Sequence, residues 1–548
     1  SALAANTTGT RNTAVGANAL DANTTANNNT AVGYNALTDN TTGSENTAVG
    51  QAALTNITTG TNNVGLGYQT LFTATTASNN TAVGYNSLVS NTTGVQNVAV
   101  GASALDANTT GVNNVAVGVG AAGATTTGSA NIAIGTSAMF TNTTGGTNVA
   151  VGQDNLFYNT TASNNTAIGH NAMVANTTGA QNTAVGSTAL DANTTGYYNH
   201  AFGYGAMGAN TTGVQQVAMG FEALTANTTG NYNVAIGNYA LHANTTASQN
   251  TAIGYASLDV NTTGANNTAV GMHSLGANTT ASNNTAFGYN SLVSNTTGHS
   301  NVAIGKDALD SNTTGNYNIG IGLDALQANT TAGGNTAIGY ASCDATTTGG
   351  DNTALGFYAG ADITTGDRNT VVGAYAGEHG GNVMTTAQGC TLIGASAIPS
   401  AAGGISQIVI AGVYTNNATT GKGDTTGFIN PNGGGVYQGN NSTTWSQTSD
   451  IRIKKNIVDN NVGLDKIKDI QVKNFEYKLP EEISDGLTET DAIDKQGIQL
   501  GVIAQELETI LPNMVTTEST GCKTVNADNM TWYLVNAVKE LSAKVEEL

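Results

Sequence analysis

Charge is scarce in this chain. Charged residues make up 9% of its 548, and Arg11, Lys306, Arg368 and Lys422 are the only basic side chains in residues 1–448. The net charge is −20. A surface so poor in Lys and Arg cannot displace counterions from a phosphate backbone, which excludes nucleic acid as a partner. The same poverty excludes anionic membrane surfaces. Three cysteines, Cys343, Cys390 and Cys522, are odd in number and far apart, so they read as small buried hydrophobes rather than a disulfide framework. No run of 18 apolar residues is present to span a membrane, and no signal peptide opens the chain. Aromatics are 5% and prolines number four. Low charge with a modest apolar content suits a disordered chain as well as a folded one. Periodicity decides between them.

Glycine (70 residues), Asn, Thr and Ala dominate, and they are ordered. From Asn6 the pattern N-T-T-(G/A)-x-x-N-(T/V)-A-(V/I)-G-x-x-(A/S)-L-x-x returns every 17 residues through Asn23, Asn40, Ile57 and onward to Ile363, giving 22 repeats. About four extra residues around 377–383 break the phase, and a degenerate copy follows at 384–397. Ser1–Ala5 fits the tail of a preceding repeat, so the array is expected to start upstream. A strict period implies stacked units. Two Thr, two or more Gly and scattered Asn cannot sustain a helix. The T-A-V-G segment reads as a short strand, and each repeat as one turn of a β-solenoid. At about 4.8 Å per turn the array is on the order of 100 Å long.

Residue types assign roles within the turn. The eleventh position is Gly in all 22 repeats, which calls for positive φ or close backbone approach. The seventh is Asn in 21, with Gln216 the exception, and stacked amides can bond along the array as a ladder. Alternation along the strand separates the tenth position (Val15, Val32, Ile134, Phe202, Met219) from the ninth. With the fifteenth (Leu20, Leu37, Met139), the tenth is expected to fill the interior. These two side chains are worth roughly 3–6 kcal/mol per turn, little against the ordering entropy of 17 residues. The ninth position is Ala in 19 repeats, Gly in two and Val in one. It is expected to face outward and pack against other copies of the chain, most simply in a trimer. The (V/I)-A-(V/I)-G strands preceded by Asn resemble the β-roll heads of trimeric bacterial adhesins, whose repeats are usually shorter.

Few side chains on the array suggest chemistry. Aromatics recur at the twelfth position (Tyr34, Tyr68, Tyr85, Tyr204, Phe221, Tyr255), where they either shield the solenoid edge, the favoured reading, or offer a surface to sugar rings. The six histidines (His170, His200, His242, His273, His299, His379) occupy scattered positions without an H-x-H pair, so no metal site is read and no cofactor is implied. No acidic residue is expected to hold a fixed repeat position, which argues against a glycan-cutting carboxylate pair. Asn-Thr-Thr reads as turn and ladder material rather than as a glycosylation acceptor. Residues 398–448 are low in complexity, with a strand expected in 405–414 and a hairpin-like neck in 428–445, anchored by Trp445.

Composition changes after Thr448, where eleven basic and eighteen acidic residues crowd into 100. The division expected is a repeat shaft over 1–379, a degenerate repeat and neck over 380–448, and a small α+β domain over 449–548. Lys473–Tyr477 reads as a strand, and 501–507 as the opening of a helix that Pro512 ends. A last helix is expected from near Asn526, capped by Asn526 or Asp528. Leu534, Val538, Leu541, Val545 and Leu548 lie on it at 4-3-4-3 spacing, a short coiled-coil seam. The segment opens Ser449-Asp-Ile-Arg-Ile-Lys454 and continues with Gly501-Val-Ile-Ala-Gln-Glu506.

These two motifs together resemble the peptidase S74 family, the intramolecular chaperones of endosialidases and other phage tail spikes. The resemblance spans essentially all of 449–548. It implies a domain that trimerises, guides the β-structured fibre ahead of it to fold, and then cuts itself off before a serine. Carried onto this chain, the scissile bond is Thr448–Ser449, with Ser449 the nucleophile and Lys454 the general base. Lys455 is the alternative base, and Asp450 and Arg452 are supporting residues. A serine hydroxyl needs such a base, and lysine serves only where burial favours its neutral form. The function expected is a viral tail fibre, carried on the virion and binding a host cell-surface glycan or protein. The alternative is a trimeric adhesin on a bacterial surface. A glycan-degrading tail spike would need an inserted catalytic domain, and the repeats run without interruption.

Overall fold

The computed structural model describes residues 1–378, 383–411, 418–430, 436–438, 445–447, 454–482, 495–517 and 522–548. The chain divides into two units, Ser1–Thr448 and Ser449–Leu548.

The first unit is a β-solenoid. Three-residue strands run from Thr13–Val15 to Thr370–Val372, one in each of the 22 repeats. Each pairs in parallel with the strand one repeat later, so that Thr13 faces Thr30 and Ala14 faces Ala31. Like residues therefore stack on like residues throughout. The pairing survives the extra residues near 380, since Thr370 pairs with Thr391, 21 positions on. It continues to Ile408–Ala411 and Gly427–Asn430. Val436–Gln438 and Trp445–Gln447 then turn back antiparallel, the hairpin-like neck expected there. The packing of Trp445 concerns a side chain outside the described residues.

Backbone pairing is not confined to the strands. In one turn Leu190 N–H donates to Ala206 O at 3.0 Å, Ala192 to Gly208 at 3.1 Å and Thr194 to Thr211 at 2.9 Å. Two amide ladders reinforce it. At the seventh position the Asn46 backbone N–H donates to Asn29 Oδ1 at 2.9 Å, and Asn46 Nδ2 to Gly60 O at 2.8 Å. The first position carries a second ladder, with Asn193 Nδ2 donating to Asn176 Oδ1 at 2.9 Å. Gln216 reaches across, donating to Asn210 Oδ1 at 3.0 Å, and so ties the two ladders together. These asparagines are buried and bond to one another and to the backbone; where the next first-position residue is Ile57, Thr125 or Thr346, the ladder is interrupted and the Oδ1 of Asn40, Asn108 or Asn329 is left without a partner.

The eleventh-position glycine meets both expectations. Its φ lies near +130° to +142°, and a Cβ on Gly33 would stand 2.4 Å from the Gly50 carbonyl oxygen. No side chain fits there.

The faces of the strand, however, are the reverse of those expected. The ninth-position alanines are buried (Ala31, Ala48 and Ala184 at 0% exposure), while tenth-position residues stand in solvent, Val15 at 58% and Phe287 at 53%. The reason is the width of the tube. Turns of 17 residues enclose room for the fifteenth-position Leu or Met and little more, so the residues across from it must be small. A Cβ on Gly65 would stand 2.1 Å from Leu54 Cδ1. The one valine at the ninth position, Val371, is accommodated beside glycines at the fifteenth: a Cβ on Gly377 would meet Val371 Cγ1 at 3.5 Å. The expectation that alanines line a contact between copies is thereby overturned.

In the second unit, helix α1 (Leu464–Asp469), α2 (Ala504–Ile510) and α3 (Met530–Glu546) accompany two short antiparallel pairs. Lys473–Phe475 pairs with Gln499–Gly501, and Val515–Thr517 with Lys523–Val525. Leu507, Leu511, Met514 and Tyr533 form the core, joined by Ile467, Val502 and Ile510. Helix α2 ends before Pro512, as its missing N–H requires. Helix α3 starts later than expected. A 3₁₀ turn over Ala527–Asn529 precedes it, and Asn529 makes no side-chain cap.

Candidate functional site

Lys454 and Lys455 are the first described residues after the expected cut, and both are exposed. Thr448, Ser449, Asp450 and Arg452 lie outside the described residues. The nucleophile and base are therefore neither brought together nor separated here. The boundary itself is plain: the two units meet in sequence between Thr448 and Ser449.

Downstream, the chain is held to α3. The Leu464 N–H at the start of α1 donates to Glu540 Oε2 at 3.1 Å, and Asn536 Nδ2 donates to Asn460 O at 2.6 Å. Gly463 is pressed so close that a Cβ would stand 2.5 Å from Ala537 N. Ion pairs Lys473–Glu506 and Lys523–Glu508 clasp α2 from both strand pairs. Beside these contacts lies a cleft of about 470 Å³ lined by Asn460, Asn513, Asn529, Trp532, Tyr533 and Asn536 among others. The apolar seam of α3 points away from the core: Leu534, Val538, Leu541 and Val545 are exposed, Val538 at 65%. The sequence spacing had marked these residues, and nothing among the described residues of the unit covers them.

On the solenoid, the twelfth-position aromatics stand in solvent and stack where neighbouring turns both carry one. Tyr68–Tyr85 and Tyr204–Phe221 are stacked with centroids 5.4 Å apart. Around Tyr239 the stripe gains polar groups. His242 lies 3.5 Å from a Glu222 oxygen and 3.8 Å from an Asp259 oxygen, with Tyr239 edge-on to its ring at 5.6 Å. Among the described residues no group of three or more His, Cys, Asp or Glu is placed to hold a metal ion.

The acidic residues need one correction. Asp does recur at the sixteenth position, as Asp21, Asp106, Asp191, Asp259, Asp310 and Asp344. Burial pushes the carboxyls of Asp106, Asp191, Asp310 and Asp344 above their ordinary range. None of the six is in an adjacent repeat to another, so the recurrence supplies no carboxylate pair. Cys343 and Cys390 are buried, and burial raises the Cys343 thiol to about 12. No helix among the described residues is long and apolar enough to cross a membrane.

Residues 449–516 match the peptidase S74 family model, described as the chaperone of endosialidase, so the match begins at the boundary residue Ser449. Over 173 residues, 26% of this chain, the sequence is 32% identical to Long tail fiber protein Gp37 of Enterobacteria phage K3. The matched stretch takes in 13% of that protein's length. No solved structure matches the chain.

Proposed function

We propose that the chain is the shaft and C-terminal chaperone of a phage tail fibre, assembled as a homotrimer and matured by one self-inflicted cut. The observation that carries this reading is the S74 family match beginning at Ser449, where the solenoid unit ends. A stack of parallel turns made of near-identical repeats has many mispaired registers of almost equal energy, so it gains from a partner that fixes its end. Residues 449–548 supply that end, and the exposed seam of α3 is suited to joining copies.

In the cleavage step Lys454 Nζ takes the proton of Ser449 Oγ, and Oγ bonds to the Thr448 carbonyl carbon. The Thr448–Ser449 C–N bond breaks, its nitrogen receiving the proton. Water then hydrolyses the ester, leaving a carboxylate on Thr448 and restoring the Ser449 hydroxyl. Lysine is a base only where its neutral form is favoured by burial. Lys454 is exposed in the single chain, so cover has to come from assembly, which makes cutting a consequence of trimerisation. Asp450 and Arg452 support the loop. On the virion, the shaft presents its aromatic stripe to a host glycan or protein. The patch of Phe221, Tyr239 and Tyr255 beside Glu222, His242 and Asp259 combines rings with hydrogen-bonding groups, the chemistry that holds a sugar.

The test is the size of the product. Unaltered protein is expected to yield fragments divided at Thr448, and Ser449→Ala or Lys454→Ala a single chain of 55.0 kDa. Equal processing in all three would remove the catalytic assignment.

A further inference from the structure

The strand's outward face combines two properties that do not go together on a surface meant for water. The tenth position is exposed or half-exposed in every repeat, yet all 22 residues there are Val, Ile, Leu, Met or Phe. The eighth position, beside it on the same face, is Thr, Val or Ile except at His200, and carries no Asp, Glu, Lys or Arg. The stripe continues past the phase break through Ile393, Ile408 and Ile410, all exposed. With about 50 Å² open per tenth-position side chain, it amounts to roughly 1,000 Å² per chain, where a monomer rarely leaves more than a few hundred Å² of contiguous apolar surface uncovered.

We infer that this face, the eighth and tenth positions of each repeat, is where parallel copies of the chain pack along the length of the shaft. The inference rests on the self-assembly proposed above and adds which surface the copies share. Three observations select another copy as the occupant. The stripe has no local centre: it runs turn upon turn from Thr13 to Ile410, at 17 residues per turn but for the one 21-residue step from Thr370 to Thr391, so its partner must present matching spacing over the whole length. A second solenoid of this sequence does so by construction. The stripe lacks charge of either sign, so a like face meets no repulsion. The exposed area, about 1,000 Å², exceeds the roughly 800 Å² per partner of a standard stable interface. A parallel arrangement also lets the α3 seams of the same copies meet, since both stripes belong to one chain.

The ninth-position alanines take no part. They serve the contact indirectly, by keeping the tube narrow and its strand face even.

Cross-linking of the full chain tests the assignment. The variants are Ile168→Cys and Ile304→Cys at the tenth position, against Thr178→Cys, exposed on the loop at the third position. Each is treated with a short bis-maleimide, with the unaltered chain as control for Cys522; Cys343 and Cys390 are buried. The expected result is same-residue linkage into dimers and trimers at 168 and 304, and little linkage at 178. Light scattering on the unaltered chain separates two kinds of failure. A trimeric mass with linkage at 178 and none at 168 or 304 would overturn this face alone. A monomeric mass would overturn both the face and the assembly on which it rests, leaving the stripe open to some other apolar partner.

Discussion

Gly186 approaches Gly203 so closely that a Cβ on the first would stand 2.3 Å from the carbonyl oxygen of the second. This contact repeats in every turn and sets the spacing at the corner of the solenoid. Gly186→Ala adds a methyl against rigid backbone and puts a Cβ on a residue with φ +138°. The expected cost is about 3–5 kcal/mol, strain and overpacking together. Chemical denaturation of the shaft measures it; a change under 1 kcal/mol would show that neighbouring turns separate easily.

The asparagine ladder allows a second prediction. Asn165 donates its backbone N–H to Asn148 Oδ1 at 3.0 Å and its side-chain Nδ2 to Gly179 O at 2.9 Å. Its own Oδ1 accepts the Asn182 N–H at 3.0 Å. Asn165→Ala leaves the Asn182 N–H buried without an acceptor, while the Gly179 carbonyl keeps Asn176 Nδ2 at 2.9 Å, for a loss of about 1–3 kcal/mol. Thr178→Ala, at an exposed position, is expected to change stability by less than about 0.5 kcal/mol. Equal effects would deny the ladder a structural role.

Acidity should strengthen the shaft. Burial raises the carboxyls of Asp106, Asp191, Asp310 and Asp344 above their ordinary value of 3.8. A folded state with the higher pKa holds its proton more tightly than the unfolded chain. Stability therefore falls as pH rises through the raised range, and returns as pH drops toward 3.8. The melting temperature is expected to increase from pH 7 to about pH 4, and Asp191→Asn to raise it at neutral pH. Relief of the general negative charge acts in the same direction, so Asp39→Asn, on the exposed surface, is the control. Equal gains from the two substitutions would assign the effect to net charge alone.

Much of this architecture was legible because a repeat states each rule 22 times. The turn length, the strand, the Gly16–Gly373 corner, the Asn12–Asn369 ladder and the interior Leu20 series all follow from residue type at fixed phase. The strand faces did not follow, because larger apolar residues were assigned to the inside. The distinguishing signal was present. Position nine is restricted in size, admitting Ala, Gly and Val; position ten is restricted in polarity but runs from Val15 to Phe202 in size. A narrow interior limits volume, whereas an interface between tubes tolerates it. The pairing of Val371 with Gly377, and of Gly65 with Leu54, shows the same volume rule at work inside. In the C-terminal unit, the α3 seam was legible from spacing. The start of α3 was not, since a 3₁₀ turn over Ala527–Asn529 leads into the helix where a side-chain cap was expected. Of the expected cleavage residues, Lys454 and its alternative Lys455 lie within the described set and Ser449 does not, so the Ser449–Lys454 partnership rests on motif and chemistry.

The central claim is that residues 449–548 bring the shafts together. It is tested most directly by light scattering on the Ser449→Ala chain, which stays whole, beside a chain synthesised as 1–448 alone. The account predicts three times the 55.0 kDa chain mass for the first, and aggregated or monomeric material for the second. Soluble trimers of 1–448 made without the C-terminal segment would contradict it.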